Sequence, residues 1–134
     1  MLVTCLINIM QVASADDEQL IFFENRIRPV LAQHCYNCHS LRAKVVQGGL
    51  FVDSFDGLIQ GGDSGPAIVP GNPEESLLIS ALKHDSFKMP PKGKLPDKVI
   101  ADFRLWISAG AQTSEAFKTN GRVTGSEVDW DVAL

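Results

Sequence analysis

The chain has little cysteine, little methionine and no positive charge near its start. Its 134 residues include three Cys, three Met, two Trp and one Tyr. The cysteines Cys5, Cys35 and Cys38 are odd in number, which fits poorly with a disulfide framework. Lys and Arg number 12 against 16 Asp and Glu, giving a net charge of −4 and a pI of about 5.2. Such a balance argues against a nucleic-acid backbone as main partner, because that binding needs clustered Lys and Arg. The longest apolar run (Leu2, Val3, Leu6, Ile7, Ile9, Met10 and Val12) is broken by Thr4, Asn8 and Gln11, too short and interrupted for a membrane span. No internal repeat and no βαβ pattern is visible.

The rest of the composition is that of one globular domain, 45% hydrophobic and 21% charged. Ala13-Ser14-Ala15 is a small-x-small cleavage pattern followed by acidic Asp16-Asp17-Glu18. Residues 1–15 are therefore expected to be a signal peptide cut after Ala15, although no Lys or Arg precedes Arg26. The competing reading is a short buried N-terminal helix.

Leu20, Phe23, Ile27, Val30 and Leu31 recur at three- and four-residue steps, which predicts a helix from about Glu18 to Gln33. Pro29 is expected to kink or restart it. Leu41 to Gly71 is punctuated by Gly and Pro and reads as an ordered wrapping loop. Within it Leu50-Phe51-Val52 and Ala67-Ile68-Val69 suggest a short two-stranded hairpin, and Ser54 to Gln60 a helical turn or two stopped by Gly61. Asn72-Pro73-Glu74-Glu75 predicts a helix start, with the helix running to about Lys83. Pro96 to Ala109 predicts a helix with Ile100, Phe103, Trp106 and Ile107 on one face and Gly110 as its stop. Trp106 and Phe23 are expected to pack helix against helix. Residues 111–134 show little periodicity and are expected to be a loosely ordered tail anchored at most by Trp130.

The chemistry is concentrated in Cys35-Tyr36-Asn37-Cys38-His39. C-x-x-C-H is the pattern of covalent c-type haem attachment. Each thiol can form a thioether to one haem vinyl group, and the histidine after the second cysteine then lies under the iron. Zinc binding is the competing reading, but a structural zinc site normally needs four ligands and no second Cys pair exists. A redox dithiol is another, but here the pair follows a predicted helix rather than a strand.

The sixth iron position calls for a ligand far along the chain, and Met89 fits: Met1 and Met10 fall in the expected leader. His/Met ligation raises the reduction potential relative to stronger donors. Pro90 and Pro91 stiffen the loop that carries Met89, so less entropy is lost in holding a weak ligand. Met89 as ordinary core filler is the plain alternative. His84, just past a predicted helix end, and His34, beside Cys35, are weaker candidates for the position. His39 is expected to donate its other ring N–H to a carbonyl, with Gly65 and Pro66 as candidates. Arg42, Lys44, Lys88 and Lys92 are either propionate partners or solvated surface charges, and the second reading is preferred for any one of them.

Beyond these features, an order of motifs carries a family resemblance. An aromatic N-terminal helix leads to Arg28-Pro29-Val30-Leu31, C-x-x-C-H-S and Gly48-Gly49-Leu50. Then come Gly61-Gly62-Asp63-Ser64-Gly65-Pro66-Ala67-Ile68-Val69-Pro70-Gly71, Pro73-Glu74-Glu75-Ser76-Leu77-Leu78-Ile79, Lys88-Met89-Pro90-Pro91-Lys92 and a Trp-bearing helix. Over Phe22 to Gly110 this resembles the planctomycete-type cytochrome c domain, a relative of class I cytochromes c. The resemblance implies an all-α, haem-wrapping domain over residues 16–110 with one covalently attached haem c. Cys35 and Cys38 would be its attachment sites, His39 its proximal and Met89 its distal ligand. It also implies export to the periplasm or another extracytoplasmic space. Such domains often precede larger ones, so the chain is expected to be a stand-alone carrier or a piece of a longer protein.

The function expected is one-electron carriage rather than enzyme catalysis, by Fe(II)/Fe(III) cycling. A redox partner protein with a basic docking patch is expected from the negative net charge. The alternatives are a haem sensor or peroxidase-like domain with a labile sixth ligand, or a haem-stapled interaction module. Membrane association is left open.

Overall fold

A computed structural model describes residues 10–119. Among them the chain is mainly helical and has no strand. Helix α1 (Ala15–Phe22) runs through one π-helical turn (Phe23–Ile27) into α2 (Arg28–His34). Ser14 opens α1 with a capping box: its hydroxyl accepts from the Asp17 amide and the Asp17 carboxylate accepts from the Ser14 amide. The wide turn has a cause in Pro29. A proline ring presses on the carbonyl four residues back and offers no N–H to it. The helix widens just before that point, and the Arg28 N–H reaches back to the Phe23 carbonyl.

The segments expected to pair as a hairpin do not pair, which corrects that expectation. Their amides are taken by turns instead. Val52 N–H donates to the His39 carbonyl at 2.8 Å, Ala67 N–H to Leu58 at 2.9 Å and Val69 N–H to the Ser76 hydroxyl at 2.9 Å. The only bridge of β type among the described residues joins Gly62 and Gly65. Helix α3 (Phe55–Gln60) forms as expected, with the Ser54 hydroxyl accepting from the Gly57 amide and Gly61 ending it at φ 70°. A Cβ at Gly61 would meet the Gly65 carbonyl oxygen, so the loop closes there only on glycine.

The helix expected from Asn72 to Lys83 is broken in two. Pro73–Glu75 is one 3₁₀ turn, Ser76 is extended, and α4 (Leu77–Leu82) follows. Asn72 makes no side-chain cap. The buried Ser76 hydroxyl instead donates to the Asn72 carbonyl and accepts from Val69, which turns the backbone out of the helix. Helix α5 (Asp97–Ser108) starts after Pro96 and gives way at Gly110, φ 104°.

These elements meet in one core of Phe23, Ile27, Leu31, Ile100, Phe103, Trp106 and neighbours. The Phe23 and Trp106 rings stack at 5.5 Å between centroids, which bears out the expected contact between the first and fifth helices. Helix α6 (Glu115–Thr119) packs on α3, and Phe117, 1% exposed, lies 4.8 Å from the Phe23 ring. Packing therefore continues beyond Gly110, where the sequence suggested the domain would end. Cys5, Trp130 and most of the expected leader and tail lie outside the described residues. No helix among the described residues is long and apolar enough to cross a membrane. Phe23→Ala removes a ring that is fully buried between Trp106 and Phe117. It is expected to cost about 3–5 kcal/mol, read as a lowered urea midpoint with unchanged slope.

Candidate functional site

The end of α2 delivers the cysteine motif. Cys35 N–H and Tyr36 N–H both donate to the Leu31 carbonyl, at 2.9 and 3.1 Å, closing the helix. The next turn is built on Cys35, whose carbonyl accepts from Cys38 at 3.2 Å and from His39 at 2.9 Å. Two straps then hold it from outside: Gln47 N–H on the Cys38 carbonyl at 2.9 Å and Val52 N–H on the His39 carbonyl at 2.8 Å. Ser40, 1% exposed, donates to the Tyr36 carbonyl, and Leu41 N–H donates to an Asp53 carboxylate oxygen at 2.9 Å. The pentapeptide is thus positioned by backbone bonds that do not depend on its side chains.

Beside it is a cavity of about 540 Å³, within the range of small-molecule and cofactor sites. His34, Cys35, Cys38 and His39 line one wall. Leu77, Leu78, Ala81 and Leu82 of α4 line another, and Phe87, Met89 and Pro90 line the wall contributed by the loop after it. Met89 is anchored by its own N–H to the Ala81 carbonyl at 3.2 Å. The cavity therefore brings Cys35, Cys38, His39 and Met89 to one space, although 50 positions of sequence separate His39 from Met89. It does not include His84. That residue sits in a left-handed conformation at φ 61°, with its Nε2 buried and unpartnered. His34 is at the cavity wall and exposed. Arg42, Lys44, Lys88 and Lys92 are exposed and line none of it.

His39 Nδ1 is buried without a hydrogen-bond partner. The expected bond to a carbonyl of Gly65 or Pro66 is not made, so the ring is held by packing and by its backbone straps. With Nδ1 sealed in, Nε2 is the nitrogen left to coordinate a metal. Among the described residues no three His, Cys, Asp or Glu side chains gather as a metal-binding group. The two cysteines thus lack the companions that a zinc site needs. Residues 35–93 match the planctomycete cytochrome C family. The matched span holds both the cysteine motif and the Met89 loop. No curated protein and no solved structure matched the chain.

The residues around the cavity fit the group that a cytochrome c carries. Two cysteines, a histidine and a methionine share its lining with aliphatic side chains such as Leu50, Val52, Leu78 and Leu82. The family implies a covalently held haem and electron transfer rather than enzyme activity.

The two thiols differ in their surroundings. Cys38 is exposed, whereas Cys35 is half-buried, and its pKa is pushed up to about 11 by burial and then by the nearby Cys38. Thiolate is the reactive form, so at pH 8 only about one Cys35 in a thousand would be ionised. In haem-free protein, alkylation followed by peptide mapping is expected to label Cys38 first. The Cys35 rate should climb as pH rises towards 11.

Proposed function

We propose that the chain is a mono-haem c-type cytochrome that carries single electrons, with Cys35 and Cys38 as thioether anchors and His39 and Met89 as axial ligands. The observation that carries this is one cavity whose lining includes Cys35, Cys38, His39 and Met89. A bound haem supplies the reversible Fe(II)/Fe(III) couple. The chain's own residues supply the rest. The sulfurs of Cys35 and Cys38 fix the group to the end of α2. His39, whose Nδ1 is buried, would supply Nε2 as the nitrogen donor. The Met89 thioether, set on a proline-stiffened loop, offers the soft second donor that favours the reduced iron. Leu50, Val52, Leu78 and Leu82 keep water away from the metal, which limits reorganisation when its charge changes.

The protein works outside the cytoplasmic membrane, where c-type haem is normally attached, after removal of residues 1–15. A cut after Ala15 would take away the Ser14 cap of α1 and leave a helix that opens on Asp16, Asp17 and Glu18. Acidic side chains in that first turn partly replace the lost cap by offsetting the helix dipole.

The test is a mass spectrum of protein made in a host with haem-attachment machinery. The expected result is one added haem and a new N-terminus at Asp16. The ferric form should show the weak far-red band of a haem–methionine bond, and the ferrous form should resist CO. Prompt CO binding without that band would move the chain to the sensor or peroxidase class.

A further inference from the structure

A second cavity, of about 240 Å³, lies between α1 and α5 and shares no lining residue with the first. It is smaller than the roughly 300 Å³ at which cofactor and drug-sized sites begin, and suits a single large side chain. Ala15, Gln19 and Phe22 line it from α1, and Leu105, Trp106 and Ala109 from α5. One turn further along each helix, Arg26 and Asp102 pair at 3.6 Å and tie the two together. The lining is apolar apart from Glu18 and Gln19, and Leu105 is 60% exposed.

Gln19 sets the chemistry of this groove. Its Oε1 is buried and has no hydrogen-bond partner among the described residues. The neighbours cannot supply one. Ala15, Phe22, Leu105 and Ala109 have no side-chain donor, and an ionised Glu18 only accepts. The Trp106 indole N–H is already taken by the Gln112 carbonyl at 2.9 Å. A buried amide oxygen without a donor is destabilising, so the groove favours an occupant that joins an apolar body to one N–H. Gln19 has enough rotatable side-chain bonds to turn its oxygen towards such a donor.

The described chain leaves the core at Thr119, the last residue of α6. Phe117 of that helix lies 4.8 Å from Phe23, and Phe23 stacks at 5.5 Å on Trp106, which lines the groove. Trp130 comes 11 residues after Thr119, a reach of up to about 36 Å when extended. Among residues 120–134 it alone joins a large apolar ring to a side-chain N–H. Glu127-Val128-Asp129-Trp130-Asp131-Val132 alternates acidic and apolar residues. In extended form such a segment presents Val128, Trp130 and Val132 on one face and its carboxylates on the other.

We propose that residues 127–132 fold back onto the molecule, seating the Trp130 indole between α1 and α5 with its N–H donating to the Gln19 side-chain oxygen. The segment then staples the first helix to the fifth. Because α1 runs through the π-helical turn into α2, the staple braces the helices that lead to the cysteine motif. The proposed cut after Ala15 shortens one lip of the groove and leaves Gln19, Phe22 and the α5 wall in place. Asp16, Asp17 and Glu18 in the first turn of α1 repel Asp129 and Asp131, so seating should tighten as salt screens that repulsion. The inference does not depend on the haem reading.

The test is nuclear magnetic resonance of the exported protein, uniformly isotope-labelled and in its reduced form. The chain has two Trp, so the spectrum holds two indole N–H signals, which Trp130→Phe assigns. The Trp130 N–H is expected to show Overhauser contacts to Phe22 and Leu105. It should exchange with water several-fold more slowly than the same indole in a free peptide of residues 124–134. Gln19→Leu should speed that exchange. Leu105→Glu, at an exposed position, should remove the contacts while helical circular dichroism persists. The Trp106 signal, bonded to Gln112, should stay unchanged as an internal reference. A Trp130 signal with the exchange rate of the free peptide and no contact to either helix overturns the proposal. Contacts found only between differently labelled copies in a mixed sample overturn it too, and give the groove to a second chain.

Discussion

Protein carrying Cys35→Ala and Cys38→Ala together is expected to leave a haem-attaching host with no covalently held haem. The loss should be complete, because no other cysteine lines the cavity. Denaturing electrophoresis with haem staining, or intact mass under denaturing conditions, reads it directly. The straps from Gln47 and Val52 bond to backbone carbonyls, so the double change leaves the turn itself intact. Helical circular dichroism should therefore persist at low temperature while thermal stability falls, since the cavity loses its filling. Each single variant should keep one thioether and a weakened colour. Haem mass retained by the denatured double variant would end the attachment reading.

Met89→Ala should have the second-largest effect. The backbone of this loop is held by the Met89 N–H on the Ala81 carbonyl, which alanine keeps. What disappears is the thioether. The far-red band should vanish, CO should bind the ferrous form at once, and the reduction potential should fall by on the order of 0.1 V. That is a modest part of the roughly 0.8 V over which axial ligands move haem potentials. Covalent haem content should stay at one per chain. An unchanged band and potential would remove Met89 from the site and return it to the core-filling role weighed in the sequence.

Much of the site is legible in the sequence because covalent and coordination chemistry demands particular residues at particular places. Cys35, Cys38 and His39 are contiguous, and Met89 stands out by scarcity. Helix α5 is equally legible, since Ile100, Phe103, Trp106 and Ile107 follow the helical period without interruption. The misread parts share one cause. Ser76 looks like an ordinary residue in a helix start, but its hydroxyl bonds to Val69 and Asn72 and splits the element. Leu50-Phe51-Val52 and Ala67-Ile68-Val69 have strand composition, but their amides go to His39, Leu58 and Ser76. Local composition records a preference for extended backbone and not the identity of the acceptor. Phe117 sits in a polar stretch with no period, and only its contact with Phe23 and its burial reveal its place.

The family match begins at Cys35 and ends at Gly93. Phe23, Ile27, Leu31, Phe103, Trp106 and Phe117 all fall outside it, and all are buried. The recognisable stretch is thus a sleeve around the cavity, and the block it leans on is contributed by both flanks. Trimming the chain to the recognisable stretch would strip away that buttress, leaving Cys35 and Cys38 on a ribbon with nothing firm behind it.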